Sequence, residues 1–155
     1  MTTCYSCEKT AARDDAPPWE RIAEDDHWRV AHSFNTSLPG WLVLLPRRHV
    51  TRIAELTDDE AVGLGLWQVR LARALAEVTG CAKTYVAQFA EAKGHEHVHF
   101  HVVPRMNDLA ADRRGPKIFA FLKSSEEERV SAEQMNALSE ALGAAIAGDR
   151  AQIEG

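Results

Sequence analysis

The stretch His97-Val98-His99-Phe100-His101-Val102-Val103 alternates imidazole with apolar side chains in strict period two. Period two is the mark of a β-strand, because successive strand side chains leave opposite faces. Val98, Phe100 and Val102 are therefore expected to pack inward, while His97, His99 and His101 share the other face. A fold that contains this strand needs a sheet with one dry face and one face open to chemistry. The rest of the chain has to supply the other strands and the cover.

Candidates for both are present. "WRVAHSF" (28–34) and "WLVLLP" (41–46) are short apolar runs separated by the turn composition "NTSLPG", and "AKTYVAQF" (82–89) is rich in β-branched and aromatic residues. Between them, Thr57 opens a helix: an N-cap, acidic residues in the first turn, Glu60 in the capping-box position, apolar residues at helical spacing, and Gly80 as the stop. A second helix is expected from Ser131, after the polar stretch "RMNDLAADRRGPK" that follows Pro104. Residues 1–18 are polar, end in Pro17-Pro18 and read as a non-repetitive arm carrying Cys4 and Cys7. The order strands, helix, strands, helix defines an α+β domain with a mostly antiparallel sheet. At 155 residues with 45% hydrophobic content, a single domain over 1–155 is expected: arm 1–18, core 19–105, and C-terminal loop and helix 106–155.

The formal net charge of −5 argues against a partner that is a nucleic acid polymer. No apolar run is long enough to cross a bilayer, and the N-terminus lacks the layout of a signal peptide, so no membrane partner and a cytoplasmic location are expected. Three cysteines cannot all pair, and in a reducing compartment a Cys-x-x-Cys more often serves a metal or redox role. Cys81, alone in an apolar setting, reads as core.

Three readings of the histidine line follow from its chemistry. The residues can be half-exposed strand positions. They can be a metal centre, although ligands must converge at about 2.0–2.1 Å and three positions on one strand spread over about 13 Å. Or they can divide the labour of phosphoryl chemistry, an uncharged imidazole attacking phosphorus while flanking donors hold the phosphate and serve the leaving group.

Residues 97–103 match the His-φ-His-φ-His-φ-φ signature (φ apolar) of the histidine-triad nucleotide hydrolases and transferases. "PGWLVLLPRRHV" resembles that family's strand leading into a Pro-x-x-His segment, and Pro104-Arg105 follows the triad as it often does there; the likeness runs from about Asp26 to Arg105. The resemblance implies a five-stranded antiparallel sheet with one long helix and a C-terminal helix, pairing into a homodimer. It implies that His99 is the nucleophile on the α-phosphorus of a nucleotide. His101 then lies beside the scissile bond, hydrogen-bonding phosphate or leaving-group oxygen, and the backbone carbonyl of His97 fixes the tautomer of His99. Asn35 is similar in location to the residue that holds ribose hydroxyls.

Two departures stand out. The family often carries Gly-Gln-Ser/Thr just before the triad, where this chain reads "QFAEAKGHEHVHFH", so Gln88, Lys93 and His95 are the candidates to bind the phosphate instead. Trp41 stands where the family commonly has a histidine after the turn glycine. Arg113 and Arg114 are candidate clamps for further phosphates. Members with an N-terminal cysteine pair imply a structural Zn²⁺ held by Cys4, Cys7, His49 and His97, a closed Cys₂His₂ set. His27 and His32 have no comparable partner and read as ordinary surface or strand histidines.

The expected activity is hydrolysis, at the α-phosphate, of a nucleoside phosphoramidate, dinucleoside polyphosphate or related adenylate through a nucleotidyl-histidine, with a zinc-stabilised nucleotide-binding module of little turnover, and a metal hydrolase, as the rival classes.

Overall fold

The structure, a computed structural model, describes residues 4–153; residues 1–3 and 154–155, the two ends of the expected domain, lie outside it. Five antiparallel strands form one sheet: β1 (Ala23–Glu24), β2 (Trp28–His32), β3 (Leu42–Pro46), β4 (Lys83–Gln88) and β5 (Phe100–Arg105), in the order β1-β2-β3-β5-β4. Helices α2 (Asp58–Thr79) and α3 (Ala132–Ile153) cover one face. No helix among the described residues is long and apolar enough to cross a membrane.

The period-two reading of the histidine line explains which face is which. Val98, Phe100 and Val102 enter the main core with Trp28, Val30, Leu42 and Leu44 from neighbouring strands, against Trp67, Leu71 and Leu75 of α2 and Leu142 and Ile146 of α3. Trp28, Trp41 and Trp67 have no exposed surface. Each removes roughly 150–250 Å² from water, on the order of 4–6 kcal/mol before entropy is counted.

Helix α2 begins and ends as its sequence dictates. The Thr57 side chain accepts from the Glu60 N–H, and the Glu60 carboxylate accepts from the Thr57 N–H, a complete capping box. Gly80 closes the helix at φ +68°, where a side chain would be strained. Of the apolar residues that line this helix, Trp67, Leu71 and Leu75 are buried and Leu64 and Val78 pack against the core. Leu66 faces outward with Val62 and Val69.

Three regions differ from the expectation. The N-terminal arm is not irregular: Tyr5–Ala11 form a helix, α1, which the Arg29 guanidinium fastens to the sheet by donating to the Thr10 hydroxyl and to the carbonyls of Ser6 and Glu20. The ladder of β5 starts at Phe100 rather than His97, because the backbone before it is engaged elsewhere; the Val98 N–H donates to the Val50 carbonyl at 2.8 Å. The stretch after Pro104 is not merely a polar loop. It leads into a 3₁₀ segment, Gly115–Lys123, whose Ile118 and Phe119 build a second, smaller core with Trp41 and Val103 on the other side of the sheet.

Candidate active site and metal centre

On the sheet face opposite α2, the register sets Ala31, Val43, His101 and Ala87 side by side across β2, β3, β5 and β4. Small or slender neighbours on either side of His101 leave a floor rather than a packed layer. Above it lies a cleft of about 330 Å³, a size ordinary for small-molecule sites. His99 and His101 line it, with Tyr5, Phe34 and His95 as one wall and Phe119 as another. The rings of His99 and His101 are 5.0 Å apart.

The hydrogen-bond partners fix the tautomer of each triad histidine, since a carbonyl only accepts and an indole N–H only donates. His99 Nδ1 lies 2.8 Å from the His97 carbonyl oxygen and must carry its proton there, which leaves the lone pair on Nε2. His101 is the reverse: Trp41 donates its indole N–H to His101 Nδ1 at 3.0 Å, so the His101 proton sits on Nε2. Burial is the main force holding His99 in the neutral form, with the charge of His95 acting in the same direction. Burial first, and then the charge of His99, push His101 down to about 4.

Trp41 is placed by the turn before it. His32, read from sequence as an ordinary strand histidine, is a buried clamp: its Nδ1 pairs with the Ser33 carbonyl and its Nε2 accepts the Gly40 N–H at 3.0 Å. Gly40 sits at φ +86°, and a Cβ there would press to 3.2 Å of Pro104, so the turn accepts only glycine and hands the chain directly to Trp41.

At the other end of the histidine line, Cys4, Cys7, His49 and His97 offer ligand atoms that all lie within 4.8 Å of one another. The donor chemistry and the spacing fit a tetrahedral cation. Zinc bound at about 2.3 Å by sulfur and 2.0–2.1 Å by nitrogen sets sulfur–nitrogen edges of about 3.6 Å. The observed separations are 3.3 Å for Cys7 to His49 and 3.6 Å from each cysteine to His97. His97 donates from Nε2 to the Pro46 carbonyl at 2.8 Å, which turns its Nδ1 lone pair toward the sulfurs. Burial, reinforced by Cys4, pushes the Cys7 thiol up to about 11. A divalent cation supplies the charge that lets both sulfurs ionise.

The remaining candidates divide. Asn35 lines the cleft and accepts from the Ser33 hydroxyl at 3.0 Å, and His95 lines it against the paired rings of Tyr5 and Phe34. Gln88 and Lys93 do not line it: Gln88 pairs with Phe100 and shares that residue's face, and Lys93 is exposed. Arg113 lies over the Phe121 ring, and Arg114 donates to the carbonyls of Leu109 and Asn107. Tyr5, which no spacing rule singles out, enters the wall because it follows the candidate ligand Cys4 in the first turn of α1.

The model of the HIT domain family matches residues 16–108, more than half of the chain, and the chain belongs to that family. Over 71 residues it is 35% identical to the bis(5'-adenosyl)-triphosphatase of Dictyostelium discoideum, a stretch that covers 44% of this chain and 48% of that protein. The chain thus aligns with about half of that relative. Among solved structures it resembles a Zn-bound histidine triad family protein from Mycobacterium smegmatis, with a TM-score of 0.68, 23% identity and 96% of both chains covered. A histidine triad nucleotide-binding protein from Sulfolobus tokodaii superposes with a TM-score of 0.68 at 12% identity, over 92% of this chain and 93% of that one. At such identities the likeness establishes the fold.

Proposed function

We propose that this chain is a nucleotide hydrolase that works by covalent catalysis on His99. The observation that carries the reading is the 2.8 Å contact between His99 Nδ1 and the His97 carbonyl, which leaves an unprotonated Nε2 facing the cleft. Neutral imidazole with its lone pair presented is the state a nucleophile needs. In the first step His99 Nε2 bonds to the α-phosphorus of the nucleotide and the bond to the leaving group breaks. Water then attacks the same phosphorus, the phosphorus–nitrogen bond breaks with its electron pair returning to Nε2, and the water's proton leaves to solvent as the nucleoside monophosphate departs.

His101 Nε2–H serves the leaving-group oxygen, and Asn35 and His95 are the polar side chains of the cleft wall that serve ribose and phosphate. The substrate class is a nucleotide bonded at its α-phosphorus, as in dinucleoside polyphosphates, nucleoside phosphoramidates and related adenylates; the bis(5'-adenosyl)-triphosphatase relative supports the first of these. The cation held by Cys4, Cys7, His49 and His97 is zinc in a structural role, since the four donors close its coordination and leave no position for substrate. Location in the cytoplasm and pairing of two copies through the outer face of α2 complete the reading.

Rapid quench after mixing with a dinucleoside polyphosphate, followed by intact-mass spectrometry at mildly alkaline pH, should show one added nucleotidyl mass, mapped to the peptide containing His99. Turnover without any such adduct, or turnover that survives His99→Ala, overturns the covalent reading. Binding of nucleotide with no turnover replaces it with the binding-module reading.

A further inference from the structure

The contact between Trp41 and His101 has chemical force because its direction is not open to choice. An indole N–H can only donate, so His101 Nδ1 is an acceptor, and the imidazolium form, with a proton on both nitrogens, would set one N–H against another. Trp41 cannot swing aside: it has no exposed surface and is wedged edge-on against Phe119, whose ring centroid is 5.3 Å away and which also abuts His101 at 5.1 Å. Nor can the indole pass a proton on, since its N–H does not ionise in water. The cost of charging a ring buried in this setting acts in the same sense.

We infer that Trp41 fixes His101 as a hydrogen-bond donor that keeps its proton, and that the chain is thereby selective for substrates whose leaving group departs as a phosphate anion over those whose leaving group is an amine. This rests on the nucleotidyl-transfer reading above and names the half of its substrate range that the site can serve. With a phosphoanhydride, the electron pair of the breaking phosphorus–oxygen bond goes to a phosphate oxygen, which is stable as an anion and needs only the His101 Nε2–H as a donor. No proton moves in that step. With a phosphoramidate, the pair goes to nitrogen, and an amine leaves only when that nitrogen gains a proton. Supplying it from neutral His101 would leave an imidazolate, a far stronger base than the departing amine, which the single Trp41 N–H donor does not offset. Tyr5 and Arg29, which also line the cleft, both engage Glu20.

The test uses the full-length protein as purified, with a dinucleoside polyphosphate and an alkylamine phosphoramidate of the same nucleoside, both followed to the His99 adduct by rapid quench. A missing general acid is worth about a hundred-fold or more, so kcat/KM for the polyphosphate should exceed that for the phosphoramidate by at least that factor. Trp41→Phe, which keeps a ring but deletes the N–H, should shrink the ratio about ten-fold by letting His101 charge. Long-range proton–nitrogen spectra of the unmutated protein should show His101 protonated on Nε2 alone, a reading that does not depend on any variant folding. Comparable rates for the two substrates, or a proton on His101 Nδ1, would overturn the inference while leaving nucleotidyl-His99 intact. Failure of both substrates to label His99 would remove the reading beneath it instead.

Discussion

His97 and His101 flank the same residue along the histidine line, yet they are held in opposite directions. His97 turns its Nδ1 lone pair away from the cleft toward two cysteine sulfurs and spends its N–H on the Pro46 carbonyl. His101 has its Nδ1 occupied by the Trp41 indole and its N–H left for the cleft. His99, between them, carries its proton on the other nitrogen, on the His97 carbonyl. The line of three identical side chains is thus a line of alternating tautomers. Nothing in an imidazole chooses its own role; the carbonyl, thiol or indole beside it does.

The largest effect should come from the middle of the line. His99→Ala is expected to cut turnover by roughly 10³-fold or more while shifting stability by under about 1 kcal/mol, measured by single-turnover kinetics and thermal melting. Loss of fold with loss of rate would mean His99 belongs with His97 as a structural residue. The metal end comes next. Metal analysis of protein purified without chelator should give one zinc per chain, and Cys7→Ser should lower stability by several kcal/mol, because binding to a folded-only site is folding free energy. If the two ends are independent, that variant should leave the His101 tautomer unchanged; a scrambled His101 would show that the metal end governs the whole strand.

A third region, beside His49 along the chain but with partners of its own, calibrates these losses. Arg48 is the main cause, with the Thr57 backbone N–H adding to it, of a Glu60 carboxyl held at about 2. Its folded value lies below the unfolded value of about 4.3, so its contribution is complete above the latter and fades as pH falls toward the former. Glu60→Gln should cost about 1–2 kcal/mol at neutral pH, discounted for the half-exposed Arg48 partner, and flatten the stability profile between about pH 4 and pH 2. A profile that keeps its slope would place the acid-sensitive group elsewhere. The smallest effect on folding is expected from Leu66→Glu on the outer face of α2, within about 0.5 kcal/mol, although it should halve the mass seen by sedimentation if two copies pair there. An unmutated protein that already sediments as a monomer ends that proposal.

What could be read from sequence was whatever a short stretch decides alone. Thr57, Glu60 and Gly80 set the ends of α2 by local hydrogen bonds and backbone preference, and the alternation at 97–103 assigned its apolar residues to the core face. The parts that escaped depend on partners far along the chain. Helix α1 has no capping side chain at Cys4 and is held by Arg29, so nothing in "YSCEKTA" announces it. His32 became a clamp only because the turn brings the Gly40 N–H back to it. Gln88 was one residue out of phase: its neighbours Ala87 and Phe89 share the parity that reaches the histidine face, and a one-residue shift on a strand exchanges faces. Trp41 was visible as a departure, but its meaning lay sixty residues away in His101.

The placement of the four candidate metal ligands also bears on how the chain comes together. Cys7 and His49 are 42 residues apart and Cys4 and His97 are 93 apart, so the cluster ties the beginning of the chain to its middle and to the start of β5. Closing a flexible loop of that longer span costs about 4 kcal/mol of chain entropy. During synthesis the cysteine pair emerges first and can hold nothing by itself. The last ligand, His97, arrives after α2 and β4 but ahead of β5, the strand that joins β4 to β3, so all four ligands are out before the sheet can close.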